Sequence, residues 1–170
     1  MPHKMKFYTI LFALLLSSCT SAPPESDEEI IKVAILKETE AYITRNKEDF
    51  LNSYVNSGLT MTHHHDLPGL EGITFSANGF DEITNIVEHH WDEGIGINFS
   101  LPKKSNWRIY INGNMAWAHY YQETIIEQKT YTSSELRILS KEEDKWKIIY
   151  ASTDLYDKVL PMAKFFIVPD

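Results

Sequence analysis

The feature that most constrains this chain is a change of hydrophobic period part-way along it. Up to about Trp91 apolar residues return every three or four positions; from Trp107 onward they alternate. The first period buries one stripe of a helix, and the second buries one face of a strand. Neither pattern can sit still as the other, so the chain is α+β, with its helices first and its sheet last.

The helical half divides at its caps. Ser26 and Glu29 form a capping box, and Ile31, Ala34, Ile35, Glu38, Ala41 and Tyr42 follow at helical spacing, which predicts a helix from Asp27 to Arg45. Asn46 can cap a second, shorter helix carrying Phe50, Leu51, Tyr54 and Val55, and Gly58 ends it. Leu59 to Asn78 contains Pro68, Gly69 and Gly72 and reads as loop or short irregular strand. A third helix spans Phe80 to Trp91, closed by Gly94. In the alternating half, Trp107 to Ile111 leads into Asn112-Gly113, a tight-hairpin signal whose two central residues need positive φ. Strands over Met115–Gln128, Tyr131–Ser140 and Lys145–Leu155 follow, and connections this short make them antiparallel. Tyr156 to Asp170 is apolar enough to pack back on the domain, in no assignable form.

The segment SSELRILSKEEDKWKIIYASTDLY, with Glu135, Arg137, the charged Lys141 to Asp144 turn and Trp146-Lys147-Ile148-Ile149, resembles the last two strands of the nuclear transport factor 2-like superfamily. The members it resembles there are the SnoaL-like and kinase-association-type ones. Gly113 to Glu123 is similar to the preceding strand of that family, and the resemblance extends over about Glu29 to Tyr156. It implies a cone: a curved antiparallel sheet wrapped around three N-terminal helices, with a pocket at the open end. It also implies a homodimer built through the sheet, an expectation that both partly apolar faces of the strands support. Isomerases, dehydratases and hydrolases share this fold with many members of no known reaction, so function has to be argued from the site.

The first residues carry a different message. Lys4 and Lys6 precede an apolar run from Phe7 to Leu16, and Leu16-Ser17-Ser18-Cys19 resembles the lipobox of bacterial lipoproteins. This implies a signal peptide over 1–18, acylation of Cys19, a tether over 19–28 and a domain over 29–170. The domain would sit in the bacterial cell envelope, outside the cytoplasm, with the lipid bilayer as its partner through Cys19. Several acyl chains on one residue hold a protein to a membrane where one chain does so only marginally.

Composition removes several classes of function. The net charge of -8 provides no basic patch for nucleic acid. One cysteine permits neither an internal disulfide nor a cysteine zinc site. His63, His64 and His65 beside Asp66, and the pair His89 and His90, invite a metal, but adjacent residues of an extended chain point oppositely and no HExxH spacing occurs, so no metal is expected. There is neither a Gly-x-Ser-x-Gly elbow nor a glycine-rich phosphate loop, and no cofactor is expected.

Candidate pocket residues come from alternation along the strand starting at Met115. One face carries Trp117, His119, Tyr121 and Glu123, and the other Ala116, Ala118, Tyr120 and Gln122. The first set is richer in chemistry: His119 and Glu123 for general acid/base work, Tyr121 to donate to a carbonyl. By resemblance Arg137 points into the cavity, where it can clamp a carboxylate; Tyr54 and Trp107 are further candidates for the pocket. The bland alternatives are a half-buried strand histidine, aromatic core, and an Arg137 paired with Glu135 or Glu123 purely for structure. Register decides between them: a four-residue turn over Lys141 to Asp144 places Arg137 beside Ile148, and a longer or bulged one beside Ile149. Three functions remain open. They are a membrane-tethered domain binding a small organic or carboxylate molecule, an isomerase, dehydratase or hydrolase working through His119 and Glu123, and a ligand-free interaction module.

Overall fold

The computed structural model describes residues 26–67, 70–94, 100–126 and 128–156. The signal segment, Cys19, most of the tether and the stretch after Tyr156 lie outside the described residues. Among the described residues no helix is long and apolar enough to cross a membrane.

Helix α1 (Asp27–Thr44) begins where its capping box requires: the Ser26 hydroxyl accepts the Glu29 amide, and Arg45 ends the helix in the left-handed region. Its buried stripe is Ile31, Ile35, Glu38 and Ala41, three apolar residues and one carboxylate. Helix α2 (Lys47–Asn52) is capped by Asn46 and buries Phe50. Beyond it the chain is stitched to the sheet, with the Val55 amide donating to the Ile148 carbonyl (2.9 Å) and the Ile148 amide to that of Ser53 (2.8 Å). Helix α3 (Phe80–Asp92) follows Gly79, whose φ of 95° suits glycine, and buries Ile83, Val87 and His90.

Six strands form one sheet in the order β2-β1-β6-β5-β4-β3, comprising β1 (Met61–Leu67), β2 (Leu70–Asn78), β3 (Lys103–Asn112), β4 (Met115–Ile126), β5 (Lys129–Glu142) and β6 (Lys145–Tyr156). The last four make the expected antiparallel meander. The region expected to be loop or short irregular strand holds two antiparallel strands, their register shifting between His65 and Leu67, and β1 joins β6 in parallel, so the sheet is mixed. Pro68, Gly69 and Gly72 read as punctuation that outweighed the flanking strand formers Thr60, Thr62, Thr74 and Phe75. With the three helices, this open curved sheet makes the cone-shaped α+β fold of nuclear transport factor 2-like proteins.

Both hairpin turns differ in detail from expectation. Asn112 pairs with Met115, so the first turn is centred on Gly113 and Asn114, with positive φ only at Gly113. Glu142 pairs with Lys145, leaving a two-residue turn in which Glu143 and Asp144 both have positive φ. That turn and an irregularity between Ile138 and Leu139 set Arg137 opposite Ala151, beside neither Ile148 nor Ile149. The core lies between the helices and the inner face of the sheet, where Ile31, Ile35, Ile83, Tyr120, Leu139 and Ile148 are fully buried.

Candidate functional site on the inner face of the sheet

Alternation in β5 sends Ser133, Glu135, Arg137 and Leu139 to the inner face, all buried. Directly opposite Arg137 stand Ala118 on β4 and Ala151 on β6, each with no exposed surface. Two alanines flanking one arginine leave room for its guanidinium above the sheet. The next row is polar across four strands: His64 on β1 opposes Thr153, Thr153 opposes Glu135, and Glu135 opposes Tyr120. At the β3 end of this row the ladder is interrupted between Ser105 and Arg108, and Asn106 has a φ of 54°. This bulge turns Trp107 onto Tyr120, with ring centroids 4.3 Å apart, while Lys104 still lies over the same Tyr120 ring at 4.7 Å.

The charges are arranged to survive burial. Glu135 accepts from the Ser133 hydroxyl (2.6 Å), the Thr153 hydroxyl (2.7 Å) and Arg137 Nη1 (3.1 Å). The same Nη1 donates to the carbonyls of Leu136 and Ser152, each at 3.1 Å. The Tyr54 hydroxyl donates to Glu38 (2.8 Å), which explains a carboxylate in the apolar stripe of α1. Lys104 hydrogen-bonds Gln122, its partner across the ladder. Desolvation holds the Tyr120 and Tyr54 hydroxyls well above the ordinary tyrosine range, so both stay protonated. Burial, helped by the Arg137 charge, pushes the His64 ring down to about 4, so it is neutral.

Three buried polar atoms on this face have no partner: the Tyr120 hydroxyl, Arg137 Nε and His64 Nδ1. Buried donors and acceptors are nearly always satisfied, and leaving one unsatisfied costs about 1–3 kcal/mol. All three lie on the inner face, on strands β4, β5 and β1. Tyr120 and Arg137 supply O–H and N–H donors, so the complementary atoms are oxygens such as those of a carbonyl or carboxylate.

Of the residues expected in the pocket, Arg137, Tyr54 and Trp107 lie on this face. His119, Tyr121 and Glu123 do not join them. They occupy the opposite face of β4, where His119 Nε2 pairs with the Ser134 hydroxyl (2.9 Å) and the ring packs edge-on against Tyr121. Desolvation and the nearby Arg108 lower the His119 pKa, and Trp117 beside it is 41% exposed. Sequence reasoning chose the chemically richer set of alternating residues, but the fold buries the set containing two alanines and Tyr120. It also missed Glu38, His64 and Lys104. The available signal was Glu38, a lone carboxylate at an inward helical position. A separate groove of about 670 Å³ between α1, α2 and the β5–β6 turn is lined by residues including Ile30, Val33, Lys37 and Trp146. The three unpartnered atoms are not among its lining residues. Among the described residues no group of three or more His, Cys, Asp or Glu side chains is placed to hold a metal.

No family model and no curated protein matches the sequence. Solved structures match the fold. A protein of unknown function with a cystatin-like fold from Nostoc punctiforme superposes with a TM-score of 0.63 at 16% identity, covering 79% of this chain and 94% of that one. A nuclear transport factor 2-like protein of unknown function from Shewanella oneidensis gives 0.58 at 14% identity, covering 75% and 98%. A putative scytalone dehydratase from Novosphingobium aromaticivorans gives 0.58 at 15% identity, covering 77% and 85%. At these identities the likeness defines the fold alone.

Proposed function

We propose that this chain is a membrane-tethered domain that binds a small organic molecule on the inner face of its sheet, through a carbonyl or carboxylate group. The observation that carries this reading is the trio of unpartnered buried atoms, Tyr120 Oη, Arg137 Nε and His64 Nδ1. Arg137 is held in place by Glu135 and two carbonyls through Nη1, and its Nε–H is a buried donor without a partner that a ligand could use. The anchor is the acylated Cys19 implied by the signal segment. The domain pairs as a homodimer through the outer sheet face, a pairing supported by the exposure there of Tyr110, Trp117 and Ile125.

Calorimetric titration with a panel of small carboxylates and ketones tests the binding. Tyr120→Phe and Arg137→Met are expected to weaken it; a panel that binds the two variants as well as the unaltered protein overturns the reading. Labelling with a palmitate analogue tests the anchor, since Cys19→Ala is expected to abolish both label and membrane attachment. A second reading, an acid–base enzyme, gains support from the neutral His64 ring and the protonated Tyr120 hydroxyl on one row. It would work through these two residues in place of His119 and Glu123, and of the structural neighbours described above the putative scytalone dehydratase carries an enzymatic name.

A further inference from the structure

Lys104 is an inner-face cation that the charge arrangement above does not need. Glu135 accepts from Arg137, and Glu38 accepts from Tyr54; the lysine makes no carboxylate hydrogen bond and is held instead by the neutral Gln122. Its amine lies 4.7 Å from the centroid of the Tyr120 ring, and Arg137 Cζ is 5.9 Å from the same centroid. The residue is only partly buried. An amine partly withdrawn from water and hydrogen-bonded to a neutral amide instead of a carboxylate is poised to be a nucleophile.

We infer that Lys104 captures a small oxo acid as a reversible imine, with its carbonyl at the lysine amine and its carboxylate at Arg137 Nε–H. The inference rests on the binding reading above and adds the ligand class and a covalent step. The amine lone pair attacks the carbonyl carbon, forming a C–N bond as the C=O π pair moves onto oxygen. The carbinolamine then loses that oxygen as water and the C=N bond forms. From an ammonium and a carbonyl the products are one protonated imine and one water, with no change of oxidation state. The Tyr120 hydroxyl, protonated and without a partner, can donate to the carbonyl oxygen as charge develops on it.

The surrounding charges fit the step. Desolvation is the main influence on the lysine and pushes it down to about 8; Arg137 on β5 pushes the same way, while Glu135 on β5 and Glu38 on α1 oppose. Near neutrality a useful fraction of the amine is therefore unprotonated, whereas a surface lysine near 10.4 is almost wholly charged.

The test is to incubate the full chain with pyruvate or glyoxylate and cyanoborohydride at pH 8, then locate adducts by intact-mass and peptide mass spectrometry. The expected result is one dominant adduct on Lys104, formed at least about tenfold faster than on any other lysine, in keeping with its lower proton affinity. It should vanish in Lys104→Met and in Lys104→Arg, with the melting temperature of at least one variant unchanged. Equal labelling across lysines, or the same labelling in both variants, overturns the inference. Calorimetry without reductant separates the two levels: pyruvate bound without an adduct overturns the imine and leaves the binding reading standing. If none of the panel binds, the binding reading fails as well.

Discussion

The two faces of strand β4 share one backbone and carry opposite logic. Inward, Ala116, Ala118 and Tyr120 are buried to 3%, 0% and 0% exposure, and the charged groups around them have named hydrogen-bond partners, Arg137 Nε excepted. Outward, Met115 and Trp117 are more than 40% exposed, and His119 meets a serine hydroxyl, its aromatic neighbours and Arg108 across the ladder. Chemically versatile side chains on an open face are screened by water and cost little to place. The same types on a closed face need partners, and a missing partner there is costly. The informative residues of this strand are therefore the plainer ones.

The sharpest way to break this contrast is to remove one member of the inner ion pair. Glu135→Gln should cost roughly 3–5 kcal/mol in urea unfolding, because it strands the Arg137 charge in a buried site. The matching outer-face change, Glu123→Gln, should fall within about 0.5 kcal/mol of the unaltered protein. Comparable losses at the two positions would erase the distinction between the faces.

A smaller effect should appear with acid. The unfolded His64 takes a proton near 6.5 and the folded ring only near 4, so the unfolded state binds more protons between those values. The contribution of His64 is full above pH 6.5 and is lost as pH falls to about 4, amounting to roughly 2–3 kcal/mol. His90 and His119 are depressed in the same direction, so the quantity to compare is the slope of stability against pH in the unaltered protein and in His64→Gln. Identical slopes would remove His64 from the buried row.

Tyr120→Phe sharpens the comparison further, since it deletes an unsatisfied hydroxyl. Thermal unfolding should show no loss, or a gain of up to about 1 kcal/mol, while affinity for the carboxylate or ketone ligand falls about tenfold. A loss of stability instead would mean the hydroxyl serves the fold. The smallest effect is expected at His119→Ala, which should stay within about 0.5 kcal/mol and leave ligand affinity unchanged.

Helix α1, its cap, the meander and the cone were readable because each rests on a local signal repeated over many residues, such as the Ser26 and Glu29 box or the alternation through β5. The β1–β2 hairpin was obscured because proline and glycine are local breakers, whereas β1 owes its place to pairing with a strand far away in sequence. The site was half readable for a related reason. Facing in a strand has period two, and a single residue of error in a turn exchanges the faces. For Arg137 the decisive features were the two-residue Glu143–Asp144 turn and the irregularity after Ile138, neither of which has a signature strong enough to place it. His64 and Lys104 required knowing which distant strands close the inner row.

The parallel join of β1 to β6 sets an order on how this molecule comes into being. Met61 meets Tyr150 across about ninety residues of chain, the longest closure among the sheet pairings, while the meander strands meet through turns of a few residues. Loop-closure entropy favours the meander first, so Tyr120, Glu135 and Arg137 assemble before β1 can dock. His64 arrives with that docking and completes the row. During synthesis the amino-terminal hairpin emerges early and must wait for β6, the last of the six strands to emerge, before it has an edge to join. The inner row is thus finished by the final step of folding, and on the binding reading proposed above ligand capture would report that the whole domain has closed.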